Sequence, residues 1–437
     1  MALSLRALAG VALLPAALAA QDHPLAITGA RILPVAGPAL ENGTLVVQGG
    51  KILAVGPAGR VRIPEGAEVR RLPGKVVIPG LVDTHSHIGD GAGGDRSAPI
   101  QGDVRILDAI DIHSDNIRRA QAGGVTTVNV MPGSGHLMSG QTAYLKLRNG
   151  RTIEDMLYCN DTDHGICGGL KMANGTNPRG APPWPGTRGK AAALVRAKFV
   201  KAQEYRQKLK LAETDSTKRP ERDLEMEALV QVLEGRRVVH FHTHRHDDIL
   251  TVLRLQREFG FRVVLHHVSE GWQVAREIAA AGVPASIIMI DSPGGKLEAV
   301  NLSMETGRIL DSAGVLVAFH TDDGITDSRF FLRSAALGVR AGMPRDKALA
   351  ALTLAGARML DLADRVGSLE PGKDADFVVL SGDPFSTYTH VEETWVDGAR
   401  VVDRNNPDDR RYATGAFRLM RDLEAEHDDD ADMEDGR

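Results

Sequence analysis

Two histidines one residue apart, His85 and His87, end an apolar run that begins at Ile78. If this run is a β-strand, its side chains alternate between faces, so both imidazoles project from the same face at the strand's end. Imidazoles placed in this way can bind one metal ion. The pair alone is a weak signal, because such histidines are more often surface or core residues, so the remaining ligands must come from elsewhere in the chain.

Other segments with the character of strands also end in ligand-type side chains. One carries four histidines with even spacing, at positions 240, 242, 244 and 246, which therefore share a face. His240 should lie too deep in the strand, and His246 should lie at the turn into the next helix, so neither is expected to be a metal ligand. Of the other two we favour His242 as the ligand, with His244 as the alternative. In the next such segment His266 and His267 point to opposite faces, so only one of them is expected to look inward. Asp322 follows a later apolar run.

Lys171 lies where a further strand should end. A lysine that points into a protein interior is costly to bury without a partner. A salt bridge would offset this cost. Carboxylation of the amine by carbon dioxide is the alternative, and it would create an anion able to bridge two metal ions.

Positioning these residues together requires a sheet. Between residues 79 and 366, apolar runs alternate with helix-like segments, which favours parallel strands joined by crossover helices. Eight candidate strands are Val76 to His87, Gly124 to Met131, Thr142 to Leu147, Gly169 to Ala173, Arg237 to His244, Phe261 to His267, Val283 to Ile290 and Val315 to His320. This pattern predicts an α/β fold with a (β/α)8 barrel, in which functional side chains follow the strands.

Both ends of the chain contain short strands and turns. Residues 21–78 and 367–415 are each too small to close a core, so together they are predicted to form one small β-sandwich, with the barrel of residues 79–366 inserted between them. The segment between the fourth and fifth barrel strands is long and includes a charged helix from about Lys190 to Leu211. Such a segment is commonly a lid or a substrate wall, although inert surface elaboration is the alternative.

The first twenty residues have the pattern of a secretory signal peptide. Arg6 precedes an apolar run too short to span a bilayer, and the pattern Ala17-Leu18-Ala19-Ala20, typical of a cleavage site, ends it. We therefore expect an exported protein, periplasmic or secreted, with no membrane span.

Residues 416–437 are strongly acidic and are predicted to be a disordered tail. Cys159 and Cys167 could form a disulfide or remain two buried thiols.

Composition narrows the class of protein. The chain has 437 residues, of which 43% are hydrophobic, so it can bury a large core and is not disordered as a whole. A formal net charge of -5 gives no basic surface for nucleic acid. A small-molecule substrate is expected, and the chain could form a homo-oligomer.

Three of these features are shared with a known group of enzymes: the run from Pro79 to His87, Lys171 with the strand histidines, and Thr321-Asp322 followed by the closing segment from Gly367 to Asp376. In combination they resemble the amidohydrolase superfamily, and within it the imidazolonepropionase-like and Xaa-Pro dipeptidase-like metal-dependent hydrolases. The resemblance extends from about residue 25 to residue 402. It implies a distorted TIM barrel with the composite β-sandwich described above.

Ligand roles follow from the resemblance residue by residue. It implies two divalent metal ions, expected to be Zn²⁺, joined by a carboxylated Lys171. One metal site would consist of His85, His87 and Asp322 and the other of His242 and His267. Single-metal deaminases of the superfamily typically have a glutamate near the fifth-strand histidine and no fourth-strand lysine. This sequence has Thr-His-Arg there and keeps the lysine, which disfavours deamination.

The expected reaction is hydrolysis of an amide or peptide-like C–N bond, in a dipeptide or an N-acyl amino acid. A metal-bridging hydroxide would attack the carbonyl, and Asp322 would act as general base. Opening a lactam, lactone or imidazolone ring is the alternative, and a non-catalytic scaffold is a third possibility. Five residues near predicted mouth loops are candidates for substrate binding: His136, Tyr144, Arg179, Lys296 and Arg329.

Overall fold

The computed structural model describes residues 23–91, 94–289 and 297–415. The predicted signal peptide, residues 1–20, and the predicted acidic tail, residues 416–437, lie outside this part of the chain. Among the helices that the structure describes, none combines the length and the apolar character needed to cross a membrane.

Strands and helices alternate through most of the described chain. In chain order the strands are β1 (Leu25–Ile32), β2 (Leu40–Gln48), β3 (Lys51–Pro57), β4 (Glu68–Arg71), β5 (Val76–Pro79), β6 (Leu81–Ser86), β7 (Val125–Val130), β8 (Met138–Gln141), β9 (Ala143–Lys146), β10 (Leu170–Ala173), β11 (Val239–Thr243), β12 (Val263–His267), β13 (Ala285–Ile287), β14 (Val317–Phe319), β15 (Phe377–Leu380), β16 (Val391–Val396) and β17 (Ala399–Asp403). The α-helices are α1 (Asp115–Ala122), α2 (Ile153–Met156), α3 (Arg188–Ala212), α4 (Leu224–Leu233), α5 (His246–Phe259), α6 (Ala275–Ala280), α7 (Thr306–Ser312), α8 (Phe331–Arg340), α9 (Arg345–Ala351), α10 (Leu354–Met359) and α11 (Pro407–Thr414). Short 3-10 helices lie at Ile106–Asp108, Ser216–Lys218, Gly271–Gln273, Leu297–Ala299 and Ser328–Phe330.

One sheet of eight strands is built from both ends of the chain. Its order is β17-β16-β15-β5-β1-β2-β3, and β4 pairs with β1. Strand β15 runs antiparallel to β5, with Phe377 opposite Pro79. Buried apolar side chains from the two ends, including Leu25, Ile27, Phe377 and Trp395, form one core cluster. The rest of the chain therefore leaves this sheet after β5 and returns to it at β15.

Two further sheets carry the candidate ligands. One has the order β14-β13-β12-β11-β10-β8 and the other the order β6-β7-β9. Strands β10 to β14 run parallel to one another, as do β6 and β7. Parallel strands place their carboxyl ends at a common edge, so the residues that follow them come together. The predicted α/β fold is confirmed in this respect.

The predicted third barrel strand, Thr142 to Leu147, runs in the opposite direction to its neighbours. Strand β9 pairs antiparallel with β7, and β8 pairs antiparallel with β10. A parallel connection needs roughly a dozen residues or more for its crossover, whereas only residues 131–137 join β7 to β8. The chain therefore turns back on itself, and the expectation of a wholly parallel sheet is wrong at this strand.

The apolar run before His85 is divided between two sheets. Strand β5 belongs to the eight-stranded sheet and β6 to the three-stranded sheet, and Gly80 separates them. A Cβ atom at Gly80 would lie 2.1 Å from Oγ1 of Thr126. The chain can change sheets there only because glycine has no side chain.

Cys159 and Cys167, which the sequence left as either a disulfide or two thiols, are joined in a disulfide with a Cα–Cα distance of 5.0 Å. The bridge closes a loop just before β10. It lies outside the group of candidate ligands, so we assign it a structural role.

Lys146 on β9 is fully buried among three aspartates. Two of them, Asp374 and Asp376, precede β15, and Asp397 lies in the turn between β16 and β17. The Nζ atom of Lys146 contacts carboxylate oxygens of Asp374, Asp376 and Asp397. Burial would lower the pKa of Lys146, but the three carboxylates raise it above its usual value, so the lysine stays charged. This group connects the ligand-bearing sheets to the sheet formed by the chain ends.

Replacing Lys146 with methionine should destabilise the fold by about 3–5 kcal/mol, because it leaves buried carboxylates without their cation. Burial already raises the pKa of Asp376. Without the lysine it should rise further, so the penalty should shrink as the pH falls and the carboxylates accept protons. Urea denaturation at pH 7 and pH 5 measures both effects. Lys347, which is half-exposed, provides the matched control, and an equal loss in Lys347→Met would contradict the assignment.

Candidate metal centre

Three candidate ligands converge at the carboxyl end of β6. Nε2 of His85 lies 3.3 Å from Nε2 of His87. Oδ1 of Asp322, which follows β14, lies 3.0 Å from Nε2 of His87 and 3.2 Å from Nε2 of His85. His85 is completely buried, whereas His87 is partly exposed. The three ligand atoms therefore face one point that is open on one side.

A backbone carbonyl sets the orientation of His87. Nδ1 of His87 lies 2.8 Å from the carbonyl oxygen of Met131. Because a carbonyl can only accept, Nδ1 carries a hydrogen, and this bond turns Nε2 toward His85 and Asp322. Metal-bound histidines are commonly oriented by a hydrogen bond of this kind.

Asp322 has a left-handed backbone with φ of 50°, and its N–H donates to the carbonyl oxygen of His85 at 2.9 Å. Aspartate tolerates this conformation better than most residues. Burial would raise the pKa of Asp322, but its hydrogen bond with His87 and the nearby amine of Lys171 lower that pKa below its usual range. The carboxylate is therefore ionised at neutral pH and can act as a ligand or accept a proton.

A second group of ligand atoms lies at the ends of β11 and β12. Atoms of His242, His244 and His267 lie within 4.8 Å of one another, and atoms of His85, His267 and Asp322 form a group of the same size. His267 therefore belongs to both groups, with Nδ1 3.9 Å from Oδ2 of Asp322. His244 also contacts Oγ of Ser269 through Nδ1 at 2.7 Å. The choice between His242 and His244 stays open.

The expectation that only one of His266 and His267 looks inward is wrong. Their ring centroids lie 5.0 Å and 4.9 Å from that of His85. The reason is local, because His267 has φ of 71° and Val268 has φ of 40°. The left-handed turn ends the strand's alternation and brings the second ring back to the same side. Strained backbone of this kind occurs often at functional sites.

Lys171 on β10 is fully buried beside the first group. Its Nζ atom lies 3.0 Å from Nε2 of His85 and 3.1 Å from Sδ of Met131. An amine at this distance from a ligand atom is placed where its carboxylated form could reach a metal ion. The side chain thus lies with the candidate ligands, as its place in the sequence predicts.

The donor set fits one or two divalent metal ions. Burial lowers the pKa of His85 and of His267 well below the usual value, and nearby Lys171 lowers both further, so both rings are neutral. Nε2 of His267 is buried and makes no hydrogen bond to any described residue. Neutral imidazoles beside an ionised carboxylate are the ligands that Zn²⁺ and similar ions take.

Beneath these residues lies a layer of histidines that the sequence did not single out as ligands. His320 stacks on His85 with ring centroids 4.9 Å apart, and its Nδ1 lies 2.9 Å from Oγ of Ser286. Nδ1 of His240 lies 3.0 Å from Nε2 of His266. Burial lowers the pKa of His240 and of His320 to about 3. A signal for His320 was available, because it precedes Asp322 by two residues.

The structure places the predicted substrate-binding residues that it describes in different parts of the molecule. Tyr144 does not lie at a mouth loop: its hydroxyl is buried 2.8 Å from Nε2 of His240. Arg329 is also placed elsewhere, because its guanidinium pairs with Asp327 and donates to the carbonyl oxygen of Gly415. Both side chains thus have partners outside the candidate ligands, and a role for either of them in substrate binding stays a prediction. Lys296 lies outside the described residues.

His136 and Arg179 lie in or beside the long segment that follows β10. His136 contacts the carbonyl oxygen of Asp95 at 2.7 Å, and its ring lies 5.6 Å from that of Trp184. Arg179 is half-buried, and its Nε makes no hydrogen bond to any described residue. Of the predicted substrate-binding residues, these two therefore remain candidates.

Two side chains attach this segment to its neighbours. Glu298 accepts a hydrogen bond from the N–H of Thr176 at 2.7 Å, which joins the segment to the connection after β13. Arg188 donates to Asp248 on α5 at 2.8 Å and lies 3.6 Å from Glu298. These contacts fasten the segment to α5, which follows β11, and to the connection that follows β13.

Comparison with known proteins identifies relatives over most of the chain. The model of the amidohydrolase family matches residues 76–402. Amidohydrolase tasK of Hapsidospora irregularis is 27% identical over 83% of the chain, but the match spans only 40% of that relative's length. Imidazolonepropionase of Deinococcus radiodurans is 26% identical over 83% of the chain and 92% of that protein. 5-Methylthioadenosine/S-adenosylhomocysteine deaminase of Symbiobacterium thermophilum is 24% identical over 84% of the chain and 87% of that protein.

Comparison with solved structures points to the same family. An amidohydrolase from Thermotoga maritima superposes with a TM-score of 0.81 and 35% identity, covering 87% of this chain and all of that one. A prolidase complexed with N-methylphosphonate-L-proline has a TM-score of 0.54 and 19% identity over 86% of this chain and 99% of that one, which shows likeness of fold alone. The predicted resemblance is confirmed at the level of the family. This chain belongs to the amidohydrolase family.

Proposed function

We propose that the chain is a metal-dependent hydrolase that cleaves an amide or peptide-like C–N bond in a dipeptide or an N-acyl amino acid. The observation that supports this most directly is the convergence of His85, His87 and Asp322 within 3.3 Å, with Nζ of Lys171 3.0 Å from His85. The proposal includes Zn²⁺ as the metal and a distorted barrel as the scaffold, with residues 21–78 and 367–415 as the smaller domain.

Two divalent ions held by these residues would supply a hydroxide at neutral pH and polarise the scissile carbonyl. His85, His87 and Asp322 form one site, and His242 or His244 forms the other with His267. Carboxylated Lys171 joins the two sites. His87 is oriented for this task by the carbonyl of Met131.

Asp322 moves the proton in this scheme. Water adds to the carbonyl carbon, the ionised carboxylate accepts the proton that is released, and it passes this proton to the nitrogen as the C–N bond breaks. The products are a carboxylic acid and an amine. The position of the carboxylate supports this role, because Oδ1 of Asp322 lies 3.0 Å from Nε2 of His87 and 3.2 Å from Nε2 of His85, within the proposed site.

Recognition of the remaining substrate is assigned to the segment after β10. Arg179 is the cation of this segment that we propose for a substrate carboxylate, because its Nε is buried without a hydrogen bond to any described residue. A guanidinium can bind a carboxylate through two parallel hydrogen bonds. The fastening of the segment through Thr176 and Arg188 would hold the arginine in place.

Replacing Arg179 with glutamine should raise KM by about 10- to 100-fold for substrates with a free carboxylate and change kcat little, since the lost bond to a charged group is worth about 1.5–3 kcal/mol. Steady-state kinetics on a free and an amidated version of one substrate measures this. Arg329→Gln is the matched control, because Arg329 already pairs with Asp327. Equal losses on both substrates would contradict the assignment.

Opening of a cyclic amide or imidazolone ring is the second candidate. It is favoured by the imidazolonepropionase relative, which matches over 92% of its length. The same residues would serve this reaction, because water attacks a ring carbonyl in the same way. The deaminase relative makes deamination a third outcome to test, although the retained Lys171 disfavours it.

The decisive experiment combines metal analysis with a substrate panel. The full chain, loaded with Zn²⁺, is assayed on N-acyl amino acids, dipeptides, cyclic amides, lactones and aminopurine nucleosides, with release of amine, acid or ammonia measured. We expect about two metal ions per chain and hydrolysis of an open amide. Hydrolysis restricted to rings would favour the second candidate, and ammonia release would favour deamination. A chain that binds no metal would refute the proposal and favour a non-catalytic scaffold.

We also propose that the protein is exported to the periplasm or secreted, on the basis of the pattern in residues 1–20. Fractionation of cells that express the full chain, followed by N-terminal sequencing, tests this. Size-exclusion chromatography with light scattering tests whether the protein is a homo-oligomer.

A further inference from the structure

A buried carboxylate connects the two chain segments that carry His85 and Asp322. Asp83 lies on β6 and is 1% exposed. Its Oδ1 accepts hydrogen bonds from the N–H of His85 at 3.2 Å and from the N–H of Thr321 at 3.1 Å. Its Oδ2 accepts from the hydroxyl of Thr321 at 2.5 Å. One side chain therefore binds the backbone of one candidate ligand and of the residue before another.

These hydrogen bonds join two strands that are not paired with each other in one sheet. Strand β6 belongs to the three-stranded sheet and β14 to the six-stranded sheet. Strands β11 and β12, by contrast, form a ladder in which His242 pairs with His266 and Thr243 with His267. At the junction of β6 and β14, the backbone bond from Asp322 to His85 is supplemented by the three bonds of Asp83.

The hydrogen-bond roles at this junction are determined by chemistry. The Thr321 hydroxyl accepts from the N–H of Asp323 at 3.1 Å, so its single hydrogen is available for Asp83. All three partners of Asp83 are then donors, and a carboxylate accepts from all of them. An asparagine at this position replaces one acceptor with a donor, so either the hydroxyl or the two N–H groups lose their partner.

We propose that Asp83 is a positioning residue that sets the separation of His85 and Asp322, and thereby the affinity of the site formed by His85, His87 and Asp322 for a divalent metal ion. Thr321 is its partner in this role. The inference rests on the proposed metal-dependent function. It assigns a measurable effect on metal binding to an acidic residue that is not one of the proposed metal ligands.

Titration of the metal-free protein with Co²⁺, in competition with a chelator, tests the proposal. Asp83→Asn and Thr321→Val should each weaken one of the two Co²⁺ sites by about 10- to 100-fold, which is typical for residues that support metal ligands. The visible spectrum of bound Co²⁺ should change as the ligand geometry relaxes. The double variant should be no weaker than the weaker single variant, because both changes break one interaction. Thr321→Ser keeps the hydroxyl and should keep the affinity.

Glu393→Gln is the control for loss of a buried carboxylate. Glu393 is 5% exposed and accepts hydrogen bonds from Arg70, Arg400 and Trp395 in the eight-stranded sheet. This variant should lose stability toward urea and keep wild-type affinity for Co²⁺. Wild-type affinity in Asp83→Asn and Thr321→Val, or effects that simply add, would overturn the inference while the proposed function stands. A wild-type protein that binds no Co²⁺ would overturn both.

Discussion

Asp322→Asn should reduce kcat by roughly 10²–10⁴-fold, the range expected when a general base is lost, while most of the bound metal is retained. An amide oxygen can still contact a metal ion, whereas an amide cannot accept the proton of the attacking water. The carboxylate is held within 3.2 Å of Nε2 of both His85 and His87, so the substitution removes the proton acceptor at the centre of the ligand group. Steady-state kinetics and elemental analysis on the same preparation separate the two effects.

Asp361→Asn is the matched control for this substitution. Asp361 also has a left-handed backbone, with φ of 58°, and it pairs with Arg262 at the surface. Asparagine tolerates that conformation at both positions, so neither variant is expected to misfold. Turnover by Asp322→Asn close to that of Asp361→Asn would show that another group takes the proton.

Lys171→Met should lower the affinity for the second metal ion by at least about 100-fold and abolish turnover at ordinary metal concentrations. The variant replaces a fully buried amine with an apolar side chain of similar length, so the fold should persist even though the proposed bridge is lost. Metal content after dialysis should fall from about two ions per chain toward one. A chain that keeps two ions and full activity would refute the bridge and leave the histidine pair unaffected.

Carboxylation itself has a direct signature. Metal-free protein incubated with ¹³C-bicarbonate and Zn²⁺ should show a carbamate resonance in the ¹³C NMR spectrum, and Lys171→Met should lack it. Lys146→Met is the matched control, because Lys146 and Lys171 are both fully buried. Since Lys146 lies among aspartates of another region, its loss should reduce stability and leave the carbamate signal in place. Loss of the resonance in both variants would indicate an indirect effect.

Much of the candidate metal centre could be predicted from the order of residue types within short segments of the chain. His85 and His87 share a face because strand side chains alternate, and this holds wherever the strand is placed. Asp322 could be selected because it follows an apolar run, and Lys171 because it lies in a predicted strand. The resemblance of the whole set to one superfamily supported both choices. Both residues lie beside His85 in the structure.

Other features depend on how distant segments pack. Tyr144 is on β9, and its direction followed from the reversal of the chain between β7 and β8, which turned the hydroxyl toward His240. The pairing of Arg329 with Asp327 is a local contact in a 3-10 helix that its position near a predicted mouth loop did not reveal. Neither residue could be placed by counting strands.

The sequence by itself therefore determined the α/β class and selected the candidate ligands, because alternation, polarity and residue type are properties of short segments. Only the tertiary structure decided which histidine rings contact one another. His266 and His267 both face His85 because a left-handed turn overrides alternation. Asp83 joins β6 to Thr321 across 238 positions of sequence, and such a bond exists only once packing has brought the two segments together.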